Sequence, residues 1–131
     1  MLKCLDTDLL IAILRGKQEA YNTTLQIEQE AKAATTAINA YEIYFGAHKS
    51  QLKNQNIKEA DNLLQKLEVI PLELSSAKKA AEITAKLAAK GQPIDYRDTL
   101  IAAIAIDNNL TLVTRNKTHF GRIKDLKTQT W

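Results

Sequence analysis

The sequence predicts an α/β fold: a three-layer α/β/α domain with a central, mostly parallel sheet. Short apolar runs alternate with longer segments of helical periodicity along the whole chain, which is the order expected of a parallel sheet covered by helices on both faces. No hairpin-type turn joins two of these runs. In addition, residues 98–107 are apolar nearly all round, which is typical of a helix buried in a core.

Each element follows from a local pattern. Short apolar or β-branched runs predict strands at residues 2–5, 33–36, 69–72 and 110–114. Segments with helical spacing or capping residues predict helices at residues 9–14, 18–32, 38–49, 53–67, 75–90 and 98–107. We expect Asp8 to cap the first helix and Ser75 or Ser76 the fifth. Gly16 and Gly91 are expected to end the same two helices.

The composition is that of a soluble globular protein. The 131 residues are 45% hydrophobic and 25% charged, which suits one domain, residues 1–131, with a core of its own. The chain has no apolar run of the roughly 18 residues that a membrane span requires, and it begins without the hydrophobic segment of a signal peptide. Its only cysteine, Cys4, excludes an internal disulfide. We therefore expect a cytoplasmic protein that does not associate with membranes.

Positive charge is concentrated in the last part of the sequence. The net charge is only +3. From Thr114 onward, however, a single acid, Asp125, stands among five basic residues: Arg115, Lys117, Arg122, Lys124 and Lys127. A basic surface beside an acid cluster suits a polyanionic ligand, although an ordinary solvated surface gives the same pattern.

Three acidic residues, Asp6, Glu42 and Asp98, lie at or just after predicted junctions between a loop or strand and a helix. In a parallel sheet, ligands bind at the carboxyl edge where such junctions gather, so these side chains can meet. Ionised carboxylates crowd together only when a cation compensates them, and oxygen ligands favour Mg²⁺ or Mn²⁺. Each acid also has an ordinary explanation, because a carboxylate is favoured in the first turn of a helix and Glu42 fits a solvent-exposed helix face.

Several segments together resemble the PIN-domain ribonucleases, and above all the toxin subunits of VapBC toxin–antitoxin pairs. The segments are DTDLLIAIL near the start, AYEIYFGA in the middle, RDTLIAAIAIDNNLTLVTRN, and the closing Trp131. The resemblance covers essentially the whole chain. It implies a parallel sheet between helices and metal-dependent endonucleolytic cleavage of RNA that leaves a 5′-phosphate and a 3′-hydroxyl. It also implies a homodimer and a small cognate antitoxin protein that silences the enzyme.

On this likeness, Asp6, Glu42 and Asp98 match the metal-binding and catalytic acids of the family, with Mg²⁺ or Mn²⁺ as the cofactor. The sequence departs from the pattern at a fourth acid, because the matching stretch TRNKTHF offers only Asn116 and His119. We expect Asn116 to assist catalysis by holding a water through its amide oxygen. His119 has the local sequence of a surface or packing residue, although it could also donate a proton or contact RNA.

The remaining site residues follow from their positions beside the acids. We expect Arg97, Arg115 and Lys117 to contact substrate phosphates. Thr114 is expected to form part of the substrate site and could hydrogen-bond a neighbouring carboxylate. Asp95 is a reserve metal ligand, although a loop aspartate after a proline is more often a turn or capping residue.

Two other functions remain open at this stage. A haloacid-dehalogenase-like phosphatase also begins with an Asp-x-Asp motif, which Asp6 and Asp8 imitate, but it needs a lysine and an acid pair after its threonine motif. Only seventeen residues follow Thr114, and they contain one acid. A PIN-like binding or scaffold protein with a decayed site would fit the missing fourth acid, whereas the presence of the other three acids favours an enzyme.

Overall fold

A computed structural model gives the fold, and it describes residues 2–131. Five strands and seven helices occur in this part of the chain. In chain order they are β1 (Leu2–Leu5), α1 (Thr7–Leu14), α2 (Gln18–Glu30), β2 (Lys32–Thr36), α3 (Ala37–Lys49), α4 (Lys53–Gln65), β3 (Glu68–Ile70), α5 (Leu74–Ala89), α6 (Tyr96–Asp107), β4 (Thr111–Val113), α7 (Lys117–Phe120) and β5 (Lys127–Gln129).

The strands form one sheet in the order β3-β2-β1-β4-β5, and all four pairings are parallel. Cys4 of β1 lies opposite Ala34 of β2 on one side and Leu112 of β4 on the other. The chain therefore adds strands to one side of β1 first and to the other side later. The topological switch point therefore lies between the neighbouring strands β1 and β4. At such a point, the carboxyl ends of the strands in an open parallel sheet form a crevice.

Two apolar cores cover the two faces of the sheet. Adjacent residues of a strand point to opposite faces, so Cys4 and Leu112 belong to the core under α5 and α6, whereas Leu5 and Val113 belong to the core under α1 and α2. Cys4 is fully buried, as expected of a small core residue. The predicted α/β/α layering is confirmed. Among residues 2–131, no helix combines the length and hydropathy needed to cross a membrane.

The predicted order of elements is confirmed, and several end points are wrong. The second helix ends at Glu30 rather than at residue 32, because Lys32 pairs with Leu2 in the sheet. The third strand covers Glu68–Ile70 rather than residues 69–72. The last predicted strand is shorter, Thr111–Val113. Two short elements near the end of the sequence, α7 and β5, were not predicted.

Three predicted capping residues have other roles. Helix α1 begins at Thr7, so Asp8 lies in its first turn instead of capping it. Helix α5 begins after Glu73, and the hydroxyls of Ser75 and Ser76 both donate to Asp107. The predicted ends are confirmed at Gly16 and Gly91, which adopt φ values of 69° and 68° just after their helices, a conformation that glycine tolerates best.

Helix α3 is held at its start by a capping box. The Thr36 hydroxyl accepts from the backbone N–H groups of Ile38 and Asn39, both at 3.2 Å, and the Asn39 side chain accepts from the Thr36 N–H at 3.3 Å. We expect Thr36→Ala to lower the free energy of unfolding by about 1–2 kcal/mol. Thr36→Ser, which keeps the hydroxyl, should recover most of that loss in urea denaturation. Equal midpoints for the wild type and Thr36→Ala would contradict this role of the cap.

Candidate active site

The candidate site lies at the carboxyl edge of the sheet, at the switch point between β1 and β4. Asp6 follows β1 directly and Thr114 follows β4. Glu42 projects from α3, which follows β2, and Asp98 lies in the first turn of α6. The four residues come from different parts of the sequence, and they are connected here through hydrogen bonds and electrostatic interactions.

Asp6 is the buried centre of the site, with 6% of its surface exposed. Its Oδ2 accepts from the Thr114 hydroxyl at 2.6 Å, and its Oδ1 accepts from the Asn39 amide at 3.1 Å. Burial raises the pKa of Asp6 from 3.8 to about 6; the Thr114 hydrogen bond opposes this rise, and the charges of Asp8 and Asp98 add to it. Asp6 is therefore a carboxylate whose charge the protein compensates incompletely.

Glu42 is held by a side chain from the first turn of α1. The Thr7 hydroxyl donates to Oε1 of Glu42 at 2.8 Å, and Nη1 of Arg97 lies 3.8 Å from Oε2. Burial raises the pKa of Glu42, the Thr7 hydrogen bond and Arg97 lower it, and Asp98 raises it again. The Glu42 side chain is 20% exposed, so it is partly buried rather than fully solvated.

Asp98 has one engaged oxygen and one open oxygen. Nδ1 of His119 lies 2.7 Å from Oδ2 of Asp98, and the Asn116 amide donates to the same oxygen at 3.4 Å. No hydrogen bond reaches Oδ1 from any residue in the range 2–131. The charge of Asp98 acts on both other acids, since it raises the pKa of Asp6 and of Glu42.

Thr114 and Asn116 connect β4 to α7. The Thr114 hydroxyl, which donates to Asp6, also accepts from the backbone N–H of Asn116 at 3.0 Å. The Asn116 side chain caps α7 by accepting from the His119 N–H at 3.4 Å. The expected hydrogen bond from Thr114 to a carboxylate is present. Asn116 reaches Asp98 through its amide N–H, and its amide oxygen is used in the cap.

Sequence reasoning missed the contacts that two residues, Asn39 and Asp8, make in the site. Asn39 donates both to Asp6 and to the Thr7 hydroxyl, and its only local signal is its place three residues after Thr36 in the capping box. Asp8 accepts from the backbone N–H of Arg115 at 2.8 Å and from the indole N–H of Trp131 at 3.2 Å. These partners are more than 100 residues from Asp8, so no local pattern identifies them.

The basic residues predicted to contact phosphates differ in their ion pairs and in their exposure. Arg97 makes a two-pronged ion pair with Asp95, at 2.9 and 3.0 Å, which lowers the pKa of Asp95 to about 2. Asp95 also caps α6 and so has the capping role considered for it. Arg115 stacks on the Trp131 ring and pairs with Glu19. Lys117 is exposed at the start of α7.

The donor set fits a hard divalent cation. Asp6, Glu42 and Asp98 supply oxygen atoms only. Within residues 2–131, no three His, Cys, Asp or Glu side chains are already arranged closely enough to hold a metal. Mg²⁺, however, usually takes one or two carboxylates and fills its remaining positions with water and substrate phosphates. Asp6 and Asp98, whose charges interact, are two carboxylates of the kind that such a site uses.

Comparisons with known proteins point to one family. The PIN domain family model matches residues 3–126. The chain is 34% identical to Ribonuclease VapC2 of Rickettsia felis, over 100% of this chain and 98% of that protein. It is 29% identical to the tRNA(fMet)-specific endonuclease VapC of Shigella flexneri, over 97% and 96%.

The structural comparison agrees with this result. A chain in the crystal structure of VapBC2 from Rickettsia felis, bound to a DNA fragment from their promoter, has a TM-score of 0.93 and 31% sequence identity. The match covers 100% of this chain and 99% of that chain. A chain in the crystal structure of DNA-bound VapBC from Salmonella typhimurium has a TM-score of 0.90 and 30% identity. The likeness thus extends over the whole fold and includes the strands and helices that carry the acids.

Proposed function

The chain belongs to the PIN-domain family, among its VapC-type members, and from that membership we propose that it is an endoribonuclease that hydrolyses RNA phosphodiester bonds with the help of Mg²⁺ or Mn²⁺. Residues 1–131 act as one nuclease domain, and the protein is the toxin of a toxin–antitoxin pair. The family match over residues 3–126 favours this function over a haloacid-dehalogenase-like phosphatase.

The observation that supports this function best is the uncompensated charge at the switch point. Asp6 is nearly buried, its pKa is raised, and no basic side chain donates to it within residues 2–131. Asp98 adds a second negative charge that acts on Asp6. Two interacting carboxylates repel each other when both are ionised, so the arrangement makes sense as a binding site for a cation.

We assign the roles as follows. Asp6 and Asp98 would hold the cation, and Glu42 would complete the acidic set from α3. Asn116 assists by capping α7 and by bonding Asp98. A bound divalent cation supplies charge stabilisation to phosphoryl oxygens and makes water more acidic. The protein's own part is to fix the carboxylates: Thr114 and Asn39 hold Asp6, and Thr7 holds Glu42.

The test is cleavage of pooled transfer RNA by the purified protein with Mg²⁺, with Mn²⁺ or with EDTA. We expect discrete fragments, with 5′-phosphate and 3′-hydroxyl ends, only when a divalent cation is present. RNA that binds and stays intact under all three conditions would favour the binding or scaffold alternative. Fragments that form equally in EDTA would exclude the proposed metal dependence.

Arg97 is the basic residue best placed to contact an RNA phosphate near the acids. It is held between Asp95 and Glu42, and its side chain is still 37% exposed. We expect Arg97→Gln to raise KM about fivefold with little change in kcat. The slope of log KM against log salt should fall by about 0.7, as for one lost contact to single-stranded nucleic acid.

Lys58→Ala is a matched control, because Lys58 is an exposed cation on α4 with no assigned role. It should leave both KM and its salt dependence unchanged. A change in kcat alone for Arg97→Gln would mean that Arg97 orders the acids rather than the substrate. Arg115 and Lys117 remain further candidates for phosphate contacts, and Thr114 contributes to the substrate site through its hold on Asp6.

We also propose a cognate antitoxin, because the similar chains were solved as VapBC complexes, and a homodimer, which the resemblance to this family implies. An apolar groove of about 490 Å³ runs between α2 and α4, where Tyr21, Leu25, Leu63 and Leu67 line it. Sedimentation equilibrium tests the dimer, and a mass near that of one chain would exclude it.

A further inference from the structure

His119 makes the closest contact with Asp98. Its Nδ1 lies 2.7 Å from Oδ2 of Asp98, and the histidine side chain is 37% exposed. An ionised carboxylate can only accept hydrogen bonds, so Nδ1 of His119 must carry the hydrogen in this pair. The imidazole therefore donates to Asp98 from the side of α7.

The structure fixes His119 from both of its neighbours along the chain. On one side, the Asn116 side chain accepts from the His119 backbone N–H. On the other, Phe120 is only 1% exposed and anchors α7 in the core shared with α6. Arg122 donates to the carbonyl oxygen of Pro93 at 3.1 Å and so connects the end of α7 to the loop that leads to Asp98. The position of the imidazole relative to Asp98 is thus set by the fold.

The two carboxylate oxygens of Asp98 differ in their hydrogen bonding. His119 and Asn116 both engage Oδ2, whereas Oδ1 has no hydrogen-bond partner within residues 2–131. Asp6 differs, because each of its oxygens accepts from a side chain. Carboxylates that bind metals are commonly oriented by such a second partner, and its loss weakens the metal site.

We propose that His119 is a positioning residue that holds Oδ2 of Asp98 and thereby keeps Oδ1 available to a divalent cation. The inference depends on the cation site of the proposed function. It gives a role to His119, which lies in the stretch where the family pattern has a fourth acid and this sequence has none. His119 acts through Asp98 and does not itself need to contact the cation or the RNA.

The test is Mn²⁺ binding, measured by titration calorimetry at one fixed pH without RNA. We expect His119→Ala to weaken Mn²⁺ binding about 10- to 100-fold. In His119→Asn, the amide N–H can take the place of Nδ1–H, and binding should recover to within a few-fold of the wild type. Thr118→Ala, an exposed neighbour on the same short helix, is the matched control and should bind Mn²⁺ like the wild type. Thermal melting of each variant shows whether the fold is kept.

Three results of the calorimetry would overturn the proposal. Equal Mn²⁺ affinity in His119→Ala and the wild type would mean that Asp98 needs no second partner. Equally weak binding in His119→Ala and His119→Asn, with the fold intact, would make the imidazole itself a ligand. Failure of the wild type to bind Mn²⁺ would remove the cation that the inference requires. Mn²⁺ binding without RNA cleavage would contradict the proposed nuclease and leave the role of His119 standing.

Discussion

Asp98→Asn is expected to lower kcat for RNA cleavage by more than about 100-fold. The loss of an outer partner of a metal ligand already costs about 10- to 100-fold, and this substitution removes the charge of a proposed ligand itself. Asparagine has nearly the same shape as aspartate, and its amide oxygen can still accept from Nδ1 of His119. The measurement is single-turnover cleavage in Mg²⁺, with Mn²⁺ affinity measured alongside.

The same substitution should not destabilise the fold. The charge of Asp98 raises the pKa of Asp6 and of Glu42, so its removal relieves repulsion within the site. We therefore expect a melting temperature equal to or above that of the wild type. Asp107→Asn, at the other end of α6 and hydrogen-bonded to Ser75 and Ser76, is the matched control and should cleave normally. Undiminished cleavage by Asp98→Asn would place the reaction in another site.

The parts of the fold that the sequence predicts best are those with a strong local pattern. Residues 98–107 are apolar nearly all round, and α6 is accordingly the helix with the longest run of buried residues. The apolar run before Asp6 predicts β1 with its exact bounds. From these two elements alone, Asp6, which follows a strand, and Asp98, which lies at the start of a buried helix, could be placed at the same edge of the sheet.

The parts that the sequence does not predict depend on distant contacts. Strand β5 is polar and largely exposed, and it forms through its pairing with β4, where Thr128 lies opposite Leu112 at the edge of the sheet. Helix α7 has four residues, too few for a periodic signal. The role of His119 follows from the place of this helix beside Asp98. Asn39 likewise reads locally as a capping residue, and its bond to Asp6 becomes visible only when α3 packs beside α1.

The stability of the metal-free protein should depend on pH through Asp6. Its pKa rises from 3.8 to about 6 on folding, so the native state favours the protonated carboxyl. The stabilisation that this provides is full below about pH 4 and is lost as the pH rises through about 6. A difference of about two pKa units corresponds to about 3 kcal/mol. Asp6→Asn, which stays neutral, should therefore lose less stability than the wild type in EDTA between pH 4 and pH 7.5.

Urea denaturation across this range, with and without Mg²⁺, tests the idea further. A cation that binds the ionised form of Asp6 stabilises the native state by mass action, so Mg²⁺ should recover wild-type stability at pH 7.5 and have little effect at pH 4.5. Asp6→Asn should respond weakly to Mg²⁺ at both values, whereas the exposed acid variant Asp125→Asn should behave like the wild type. Parallel pH profiles for the wild type and Asp6→Asn in EDTA would contradict the raised pKa. If Mg²⁺ stabilised the wild type and Asp6→Asn equally, the cation would bind away from Asp6, because a cation that binds at this carboxylate loses affinity when its charge is removed.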